Sequence, residues 1–384
     1  MRISGTPFMH PPTLLLILPA LLYGSEAHVL ASQNPPQAKD SQPTSAPQKK
    51  KAKKKKQSKR AQRGWRLEFK HRPSLRYRDL LRTDFRIKLQ TDFHTVTRQE
   101  PAERDLFEFH RNRIAIEGNF LRDFEYEAEY DFARNELGLR DAYVNFRRWR
   151  FLQVQGGRFK IPFGRDQLTG PMNLDFVYRS RLGTQIAPAR EYGLMLHGPL
   201  VGPGLRYQVG LFRHDGENAY AEGKVPIGGR TVAVRLRSFP QQILPLPSLL
   251  KELEVGVAGT WNKLPPARAG LNGHTASGVT FFPRMNVNGR RLRLGTEFNW
   301  SPGPFSLQGE YMRVGQQRLQ QGMRREDLPE VIARGWYLSG TWLITGENKA
   351  GGVEPRRPFW REPGFGAWEL AFRQEYLRFG TTPF

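Results

Sequence analysis

Cysteine is absent from this chain of 384 residues. Its absence excludes structural disulfides, thiolate metal sites and a cysteine nucleophile, and it suits a protein that crosses an oxidising compartment before folding. Long apolar runs are missing beyond the first thirty residues, so any insertion into a membrane must use strands. Negative charge is scarce, because 36 acidic residues stand against 60 lysines and arginines and leave a net charge of +24.

Catalytic signatures are missing too. After the N-terminal segment the sequence contains no G-x-S-x-G, H-E-x-x-H, G-x-G-x-x-G or P-loop pattern. The eight histidines are scattered, and the pair His214-Asp215 at a strand end is explained most simply as part of a loop. Carboxylates such as Glu127 and Glu129 share a strand face, where that spacing is commonplace. The sequence therefore predicts neither an enzyme nor a bound cofactor or metal.

Residues 1–31 have the organisation of an export signal. Arg2 supplies the positive charge, Leu14 to Leu22 form an apolar core, and Val29 to Ala31 provide a small-residue cleavage site. The alternative is a membrane anchor, but about nine apolar residues interrupted by Pro19 are far fewer than the roughly 20 that a spanning helix needs. We therefore expect export, with the mature chain beginning near Ser32.

Residues 32–63 are rich in Gln, Pro, Ser, Ala and Lys and include eight lysines between Lys49 and Lys59. Such a segment cannot bury enough apolar surface to fold, so we predict a disordered leader in the periplasm. The leader is either a plain solvated tether or a segment with weak attraction for anionic envelope polymers. Export argues against nucleic acid as its partner.

Apolar and charged residues alternate beyond residue 64. From Arg82 to Phe93 the odd positions are apolar or threonine, whereas the even positions are charged or glutamine. Alternation with a period of two predicts strands with one apolar and one charged face. Thirteen strands follow from it, at 82–95, 107–119, 122–132, 139–149, 151–160, 190–199, 205–214, 230–239, 253–262, 290–300, 305–315, 333–345 and 366–379. Residues 65–77 are a further strand candidate.

The links between these strands alternate between tight turns and long loops. Strands of about ten residues cross a bilayer when tilted, and outer-membrane barrels have short periplasmic turns and long external loops. A soluble sandwich with Greek-key crossings would not alternate so regularly. The pattern predicts an all-β fold, a transmembrane antiparallel β-barrel, although links 240–252 and 346–365 are longer than periplasmic turns should be. Aromatic side chains near strand ends, among them Tyr143, Tyr337 and Trp342, are typical of an interfacial girdle.

Several stretches match a known family: Arg111 to Phe132, Leu139 to Gly164 and Leu174 to Gly193, together with Gly335 to Ala350 and Gly366 to Glu369. These stretches resemble the phosphate-selective porin O and P family, and the match is spread over most of the chain from residue 65 onward. The resemblance implies a sixteen-stranded barrel, usually trimeric, with an arginine- and lysine-lined pore that favours anions.

The end of the chain departs from the family pattern. A thirteenth strand at 366–379 would end outside, whereas both termini of such a barrel are periplasmic only with an even number of strands. Members of this family are expected to continue with closing strands, and the final Thr-Thr-Pro-Phe is poor strand sequence. We therefore expect residues 64–384 to form a porin barrel that is C-terminally incomplete, with two bare edges that lipid would not tolerate.

The longest loop, at 161–189, is the third external loop counted from the strand at 82. In general porins the third loop folds inward and narrows the pore, and the resemblance implies the same here. Guanidinium groups suit phosphate because they match two oxygens at once and stay charged. The predicted constriction consists of Lys160, Arg165, Asp166, Asp175, Arg179, Arg181 and Arg190. The alternative is that these arginines face bulk solvent or pair with Asp166 and Asp175.

Ten further cations occupy the charged faces of the strands and form a candidate basic ladder along the lumen. They are Arg82, Arg86, Lys88, Arg113, Arg206, Arg235, Arg237, Arg291, Arg293 and Arg373. Asp123, Glu125, Glu127 and Asp131 lie on the same face, and local pairing with them would weaken a preference for anions.

These observations predict a porin of the Gram-negative outer membrane through which small hydrophilic solutes diffuse passively, with anions or phosphate favoured. Its expected partners are outer-membrane lipid, inorganic phosphate or other small anions, and further copies of itself in a homotrimer. The alternative is a secreted, soluble all-β protein that binds acidic polysaccharide through a basic face. The two differ in whether the apolar strand faces point toward lipid or into a dry core.

Overall fold

The computed structural model describes residues 64–69, 72–94, 106–133, 138–220, 226, 228–267, 269–275, 279–359 and 364–381. The predicted export signal at 1–31 and the predicted leader at 32–63 lie outside these residues. Within the described ranges, no helix is both long and apolar enough to cross a membrane.

Fifteen strands form one antiparallel sheet in which each strand pairs with its neighbours in chain order. Their bounds are β1 Trp65–Phe69, β2 Pro73–Tyr77, β3 Leu81–His94, β4 Leu106–Phe120, β5 Phe124–Asp131, β6 Leu139–Trp149, β7 Leu152–Lys160, β8 Arg190–Val201, β9 Leu205–Phe212, β10 Thr231–Ser238, β11 Glu254–Ala267, β14 Val287–Trp300, β15 Phe305–Arg318, β16 Leu328–Leu343 and β17 Glu369–Gly380. Two short strands between β11 and β14 pair separately, namely β12 Gly273–His274 and β13 Thr280–Phe282.

Helical structure in the described ranges is limited to single turns. The α-helical turn α1 spans Arg165–Leu168, and a π-helical turn spans Leu182–Ile186. Four 3-10 turns lie at Pro171–Asn173, Glu217–Ala219, Pro240–Gln242 and Ser248–Leu250.

All thirteen predicted strands are present, with bounds that shift by a few residues. The candidate at 65–77 is two short strands instead of one, because β1 and β2 pair with each other as a hairpin. Pro73 has no N–H to donate, and it stands at the first position of β2, where a strand tolerates proline. The predicted all-β fold of the porin type is therefore confirmed.

The two faces of the sheet have opposite chemistry. On β3, Ile87 is 75% exposed on one face and Asp84 is 6% exposed on the other. The exposed apolar face continues from strand to strand in hydrogen-bonded register, as in the row Leu196, Val209 and Val234. A soluble sheet protein packs its apolar faces into a core, whereas a barrel in lipid turns them outward. The arrangement fits a sheet surrounded by lipid and argues against a soluble sandwich.

Short and long connections separate to opposite ends of the sheet. The turn end carries the links 121–123, 150–151, 202–204 and 301–304, and the loop end carries the links 161–189 and 268–286 among others. The links 239–253 and 344–368 lie at the turn end despite their length. Both fold back on it, because Trp300 Nε1 donates to Leu249 O at 2.7 Å and Lys349 N donates to Gly303 O at 2.8 Å. The short turns of outer-membrane barrels face the periplasm, so we assign the turn end to that side.

An aromatic girdle surrounds the turn end. Phe151 is 64% exposed and Trp149 49%, and the exposed rings of Phe305 and Trp342 stack at 6.1 Å. The sequence prediction was wrong for Tyr143 and Tyr337, which point into the interior. Their hydroxyls donate to Glu127 at 3.0 Å and to Glu310 at 2.8 Å, and a buried phenol needs such an acceptor.

The sheet wraps around an interior that is bridged by the link between β7 and β8. Tyr178 in that link donates its hydroxyl to Asp92 of β3 at 3.4 Å, while its carbonyl oxygen accepts from Arg373 of β17 at 3.0 Å. Strands near both edges of the sheet therefore lie within reach of one residue. In the described part of the chain β1 and β17 do not pair with each other.

Candidate functional site

The segment 161–189 enters the interior and packs against the opposite wall. Phe163, Leu182 and Ile186 are fully buried and form one apolar cluster with side chains of β15 and β16, including Met312 and Ala333. Apolar contacts of this kind exclude water from the line where loop and wall meet. We call this segment the inner loop.

Two wall glycines provide the space for the inner loop. A Cβ atom at Gly295 of β14 would lie 3.1 Å from Phe163, and one at Gly335 of β16 would lie 3.0 Å from Leu182. Side chains at these inward positions would crowd the loop, and at Gly335 also the backbone oxygen of Tyr376 on β17, so the glycines let the wall approach the loop closely.

The carboxylate of Glu310 on β15 holds the start of α1. Its two oxygens accept from the backbone N–H groups of Arg165 at 2.8 Å and Asp166 at 2.7 Å. The side chain of Asp166 in turn accepts from Ser180, at 2.9 Å from its N–H and 3.1 Å from its hydroxyl. Asp166 thus joins the two arms of the inner loop and does not point into open solvent.

The far arm of the inner loop is fixed to β17. Glu375 accepts from the N–H of Arg181 at 2.8 Å, and the guanidinium of Arg373 lies 4.6 Å from the centre of the Phe176 ring. Both contacts tie loop backbone or rings to the last described strand.

Lys349 reaches the inner loop from the turn end. Its ammonium donates to Asp175 and to Glu369, both at 2.6 Å. Burial acts to lower the pKa of Lys349, but the two carboxylates outweigh it and raise the pKa above its ordinary value. The predicted site residue Asp175 is therefore the partner of a lysine and not of an arginine.

Three other predicted constriction residues hold the base of the loop. Lys160 donates to the carbonyl oxygens of Leu168 at 3.2 Å and Thr169 at 3.1 Å. Arg179 donates to the same Thr169 oxygen at 2.6 Å, and burial lowers its pKa to about 10, against the opposing effect of the Asp166 charge. Arg190 donates to Asp141 at 2.6 Å.

A second segment, between β9 and β10, also turns inward. Asp215 is fully buried and accepts from Arg291 and, at 2.6 and 2.8 Å, from Arg293. Burial acts to raise the pKa of Asp215, but Arg293 and Arg291 outweigh it and hold the pKa below its ordinary value. Arg293 also donates to Ile186 O at 2.8 Å, so it links both inward segments. These two ladder arginines are sealed from water and act as anchors.

Glu217 of the same segment gathers three more arginines. Its carboxylate lies 3.0 Å from Arg140, 2.8 Å from Arg158 and 3.9 Å from Arg190. One carboxylate therefore serves three guanidinium groups on the inner surfaces of β6, β7 and β8.

The wall formed by β3, β4 and β5 is neutralised strand by strand. Arg113 donates to Asp131 at 2.7 Å and to Glu129 at 3.0 Å, and Lys88 also donates to Glu129 at 3.0 Å. The remaining ladder residues here are paired as well, since Arg82 donates to Asp84 and Arg86 donates to Glu117, Glu127 and Glu129.

The ladder residues of β9 and β10 are less completely paired. Arg235 bonds to Glu297, but Arg237 shares the single carboxylate of Glu254 with Arg165 of the inner loop, at 3.0 and 2.7 Å. Arg206 lies directly across the strand pair from Arg237, and both guanidinium groups lie over the ring of Phe239. Two guanidinium groups thus share one carboxylate while a third lies beside them, and we call Arg165, Arg206 and Arg237 the cation cluster.

Each member of the cation cluster has one hydrogen-bond donor that is not paired with an acceptor in the described part of the chain. The Nε–H groups of Arg165, Arg206 and Arg237 have no acceptor within the described residues. Buried guanidinium donors are costly to leave unpaired, so they favour an incoming acceptor. Of the cluster, Arg165 lines a cavity of about 260 Å³, together with Phe239, Glu254 and Lys349 among others.

The sequence profile of the family described as phosphate-selective porin O and P matches residues 81–379, which run from the first residue of β3 to the penultimate residue of β17. The chain belongs to this family. It is therefore a porin of the outer membrane, in agreement with its outward apolar belt.

Solved structures to which this porin is similar include OmpT of Vibrio cholerae in its trimer form, at 11% identity over 68% of this porin and 72% of that chain, with a TM-score of 0.46. An anion-selective porin from Comamonas acidovorans matches at 12% identity over 68% and 74% of the two chains, also with a TM-score of 0.46. The outer membrane channel DcaP of Acinetobacter baumannii matches at 10% identity over 68% and 75%, with a TM-score of 0.43. Among curated proteins no match was found.

Sequence reasoning missed the acidic anchors of this porin. The sequence interpretation placed Asp215 in a loop, and it did not single out Glu217, Glu254, Glu310 or Glu375. A usable signal existed for the first two, because acidic residues separated by one glycine are conspicuous in a basic protein. The other three lie on the charged faces of strands, where alternation alone does not distinguish carboxylates that hold the inner loop or its arginines from those that do not.

Proposed function

We propose that this porin passes small hydrophilic anions by passive diffusion, and that the cation cluster supplies its selectivity. The observation that carries the proposal is the imbalance at Glu254, where Arg165 and Arg237 share one carboxylate and Arg206 stands directly across the strand pair from Arg237. Elsewhere on the wall most cations are matched, so this cluster presents the unneutralised positive charge that an ion near the turn end would meet.

The chemistry of the cluster suits oxyanions such as phosphate. A guanidinium offers a planar fork of donors that fits two oxygens and keeps its charge at every relevant pH. Three such groups with unused donors attract an anion, and the nearby carboxylate prevents any one of them from holding it tightly. Binding that is favourable but weak and shared among sites is what conduction requires.

The inner loop is the proposed constriction. It crosses from β7 and β8 to β15, β16 and β17, so any solute has to pass beside it. Of its predicted residues, Arg165 and Arg181 keep 22% and 31% of their side chains exposed, and we assign them the solute-facing role. Lys160, Asp166, Asp175, Arg179 and Arg190 position the loop through the contacts described above.

The remaining expectations from the sequence belong to the same proposal. Export through the signal at 1–31 would deliver the chain to the outer membrane, with the leader at 32–63 on the periplasmic side where β1 begins. We propose that three copies assemble into a trimer within the lipid.

Planar-bilayer recordings in a salt gradient test the selectivity directly. The triple variant Arg165→Gln, Arg206→Gln, Arg237→Gln should conduct but move the reversal potential toward cation preference. A matched control removes three exposed cations outside the interior, by Arg122→Gln, Arg148→Gln and Arg324→Gln, and should leave the reversal potential unchanged. Equal shifts in both variants, or cation selectivity in the unaltered porin, would reject the cluster as the selectivity element.

A further inference from the structure

The link between β10 and β11, residues 239–253, differs in composition from the rest of the turn end. Its residues 240–250 include no charged side chain and consist mainly of proline, leucine and isoleucine. The other long link at this end, 344–368, contains seven charged residues. Three aliphatic side chains of the first link are nevertheless 46–60% exposed, namely Ile243, Leu244 and Leu249. We call residues 239–253 the apolar foot.

The apolar foot extends along the rim of the sheet. Near its start, Ile243 packs so closely on the turn between β8 and β9 that a Cβ atom at Gly204 would collide with it. Near its end, the carbonyl oxygen of Leu249 accepts from Trp300 Nε1 of β14 at 2.7 Å. The strands that the foot joins, β10 and β11, are direct neighbours in the sheet. A connection between adjacent strands thus follows the turn-end border from β9 to β14.

The foot lies on the outward side of this border. Strand β14 turns its even positions outward, as at the exposed Leu294, and Trp300 is the last of these positions. The indole that donates to the foot therefore belongs to the outward face, where aromatic side chains mark the membrane interface. At the opposite end of the foot, the turn that it covers follows Leu200 and Val201, which are exposed at the end of β8. The foot is therefore continuous with the apolar belt.

Much of the backbone of the foot is satisfied without water. Pro240, Pro245 and Pro247 have no N–H group to satisfy. Six N–H groups donate to carbonyl oxygens of the foot itself at 2.9 to 3.3 Å, namely those of Gln242, Ile243, Leu244, Leu250, Lys251 and Leu253. Backbone polar groups in lipid have to be satisfied within the protein because no water is present to bond them. The foot therefore has a backbone that suits the edge of a bilayer.

We propose that the apolar foot is immersed in the periplasmic leaflet, with Ile243, Leu244 and Leu249 among the acyl chains at their border with the headgroups. Contiguous exposed apolar surface marks an interaction site, and here it continues a belt that already faces lipid. The acyl chains of that leaflet are therefore its partner. Lys251 and Glu252 follow directly and are exposed, so the chain becomes charged where it leaves the bilayer. The proposal rests on the membrane orientation of the barrel but not on the selectivity of its pore.

The absence of native cysteine allows single positions of the full-length porin to be labelled. Leu244→Cys and Leu249→Cys each carry a bimane dye, in phosphatidylcholine vesicles with or without a lipid that bears a nitroxide near the top of its acyl chain. The nitroxide lipid should quench both dyes several-fold more strongly than a dye at Glu354→Cys, an exposed position of the charged link at the same end. Val257→Cys, at an exposed outward position of β11, is the reference for a side chain in the belt. Iodide in the buffer should quench in the opposite order.

Two results would overturn the proposal. Lipid quenching at Leu244→Cys and Leu249→Cys that is no stronger than at Glu354→Cys would place the foot in water. Self-quenching between labelled copies that disappears on dilution with unlabelled porin, without quenching by the nitroxide lipid, would assign the foot to contact with a second copy. Each variant has to migrate as the folded gel band, and Ile243→Cys replaces either foot variant that does not. Quenching does not depend on which ions the pore conducts, so failure of the foot and failure of the proposed pore remain distinguishable.

Discussion

Two parts of the interior contain similar numbers of cations and differ in their supply of carboxylates. On the β3 to β5 wall, Arg113 has both Glu129 and Asp131 as partners. At the turn end, Glu254 is shared between Arg165 and Arg237. The β3 to β5 wall is a set of mutually neutralised ion pairs, while the region around Glu254 retains net positive charge.

The comparison teaches that counting arginines does not measure the field inside a pore. A matched pair presents little net charge to a passing ion, whereas the electric field of an unmatched guanidinium extends over several ångströms. Most of the interior arginines therefore shape the barrel, and a minority determine which ions prefer it.

The largest effect should follow from removing Asp215, the fully buried carboxylate that two arginines share. Asp215→Ala leaves Arg291 and Arg293 without a counter-charge, and removing one partner of a buried pair costs about 3–5 kcal/mol. We expect a marked fall in the temperature at which the folded gel band disappears. Asp79→Ala, at a carboxylate whose side chain is 63% exposed, is the control. Similar shifts for both variants would mean that the buried network does not stabilise the fold.

Next comes the apolar attachment of the inner loop. Leu182→Ala removes a fully buried side chain, and such truncations cost about 2–5 kcal/mol. Because the lost contacts join loop to wall, single-channel recordings should show larger current fluctuations while the barrel stays folded. Leu194→Ala, at an outward residue that is 54% exposed, should leave the recordings unchanged. A Leu182→Ala channel with current fluctuations no larger than those of the unaltered porin would contradict the role of this apolar contact in anchoring the inner loop.

A third effect depends on pH. Since its two arginines hold the pKa of Asp215 low, the stability it contributes is fully present above its ordinary value of about 3.9 and is lost as the pH falls through the lower folded-state pKa. The loss should not exceed about 1.4 kcal/mol per pH unit. Unfolding of the unaltered porin and of Asp215→Asn should therefore differ by a constant amount near neutrality and converge in strong acid. Convergence already near neutral pH would contradict the lowered pKa.

The smallest effect should follow from neutralising the carboxylate beside the cation cluster. Glu254→Gln removes the one carboxylate that the cation cluster shares, and one unit of charge at about 8 Å in water changes the energy of an ion by about 0.5 kcal/mol. Because the change favours the anion and disfavours the cation by that amount each, we expect the anion-to-cation permeability ratio, read from the reversal potential, to rise roughly fivefold. Asp79→Asn should not change it. A fall in the ratio would show that Glu254 positions the arginines instead of screening them.

Much of the fold was predictable because alternation is a local property. The sequence of each strand indicates which of its faces is apolar, and the lengths of the links indicate which end of the sheet carries the loops. The girdle prediction erred at Tyr143 and Tyr337 because an aromatic ring near a strand end suits either face. Only the register showed that their hydroxyls meet Glu127 and Glu310.

The candidate site was less accessible to sequence reasoning. Its residues were found as a class, since cations on the charged faces had to lie inside. Which of them are neutralised depends on pairs far apart in the chain, such as Arg293 with Asp215 and Arg165 with Glu254. No spacing rule connects such positions, so the division into anchors and free charges required the three-dimensional arrangement.

The links from Lys349 to Asp175 and from Arg181 to Glu375 join positions 174 and 194 residues apart. Contacts this distant in sequence form late, because the entropy cost of ordering the intervening chain precedes the stabilisation that the contacts give. The inner loop therefore cannot dock until β16 and β17 have joined the sheet. During assembly it remains open to proteases, and the moment it becomes resistant to them reports that the last strands have joined the wall.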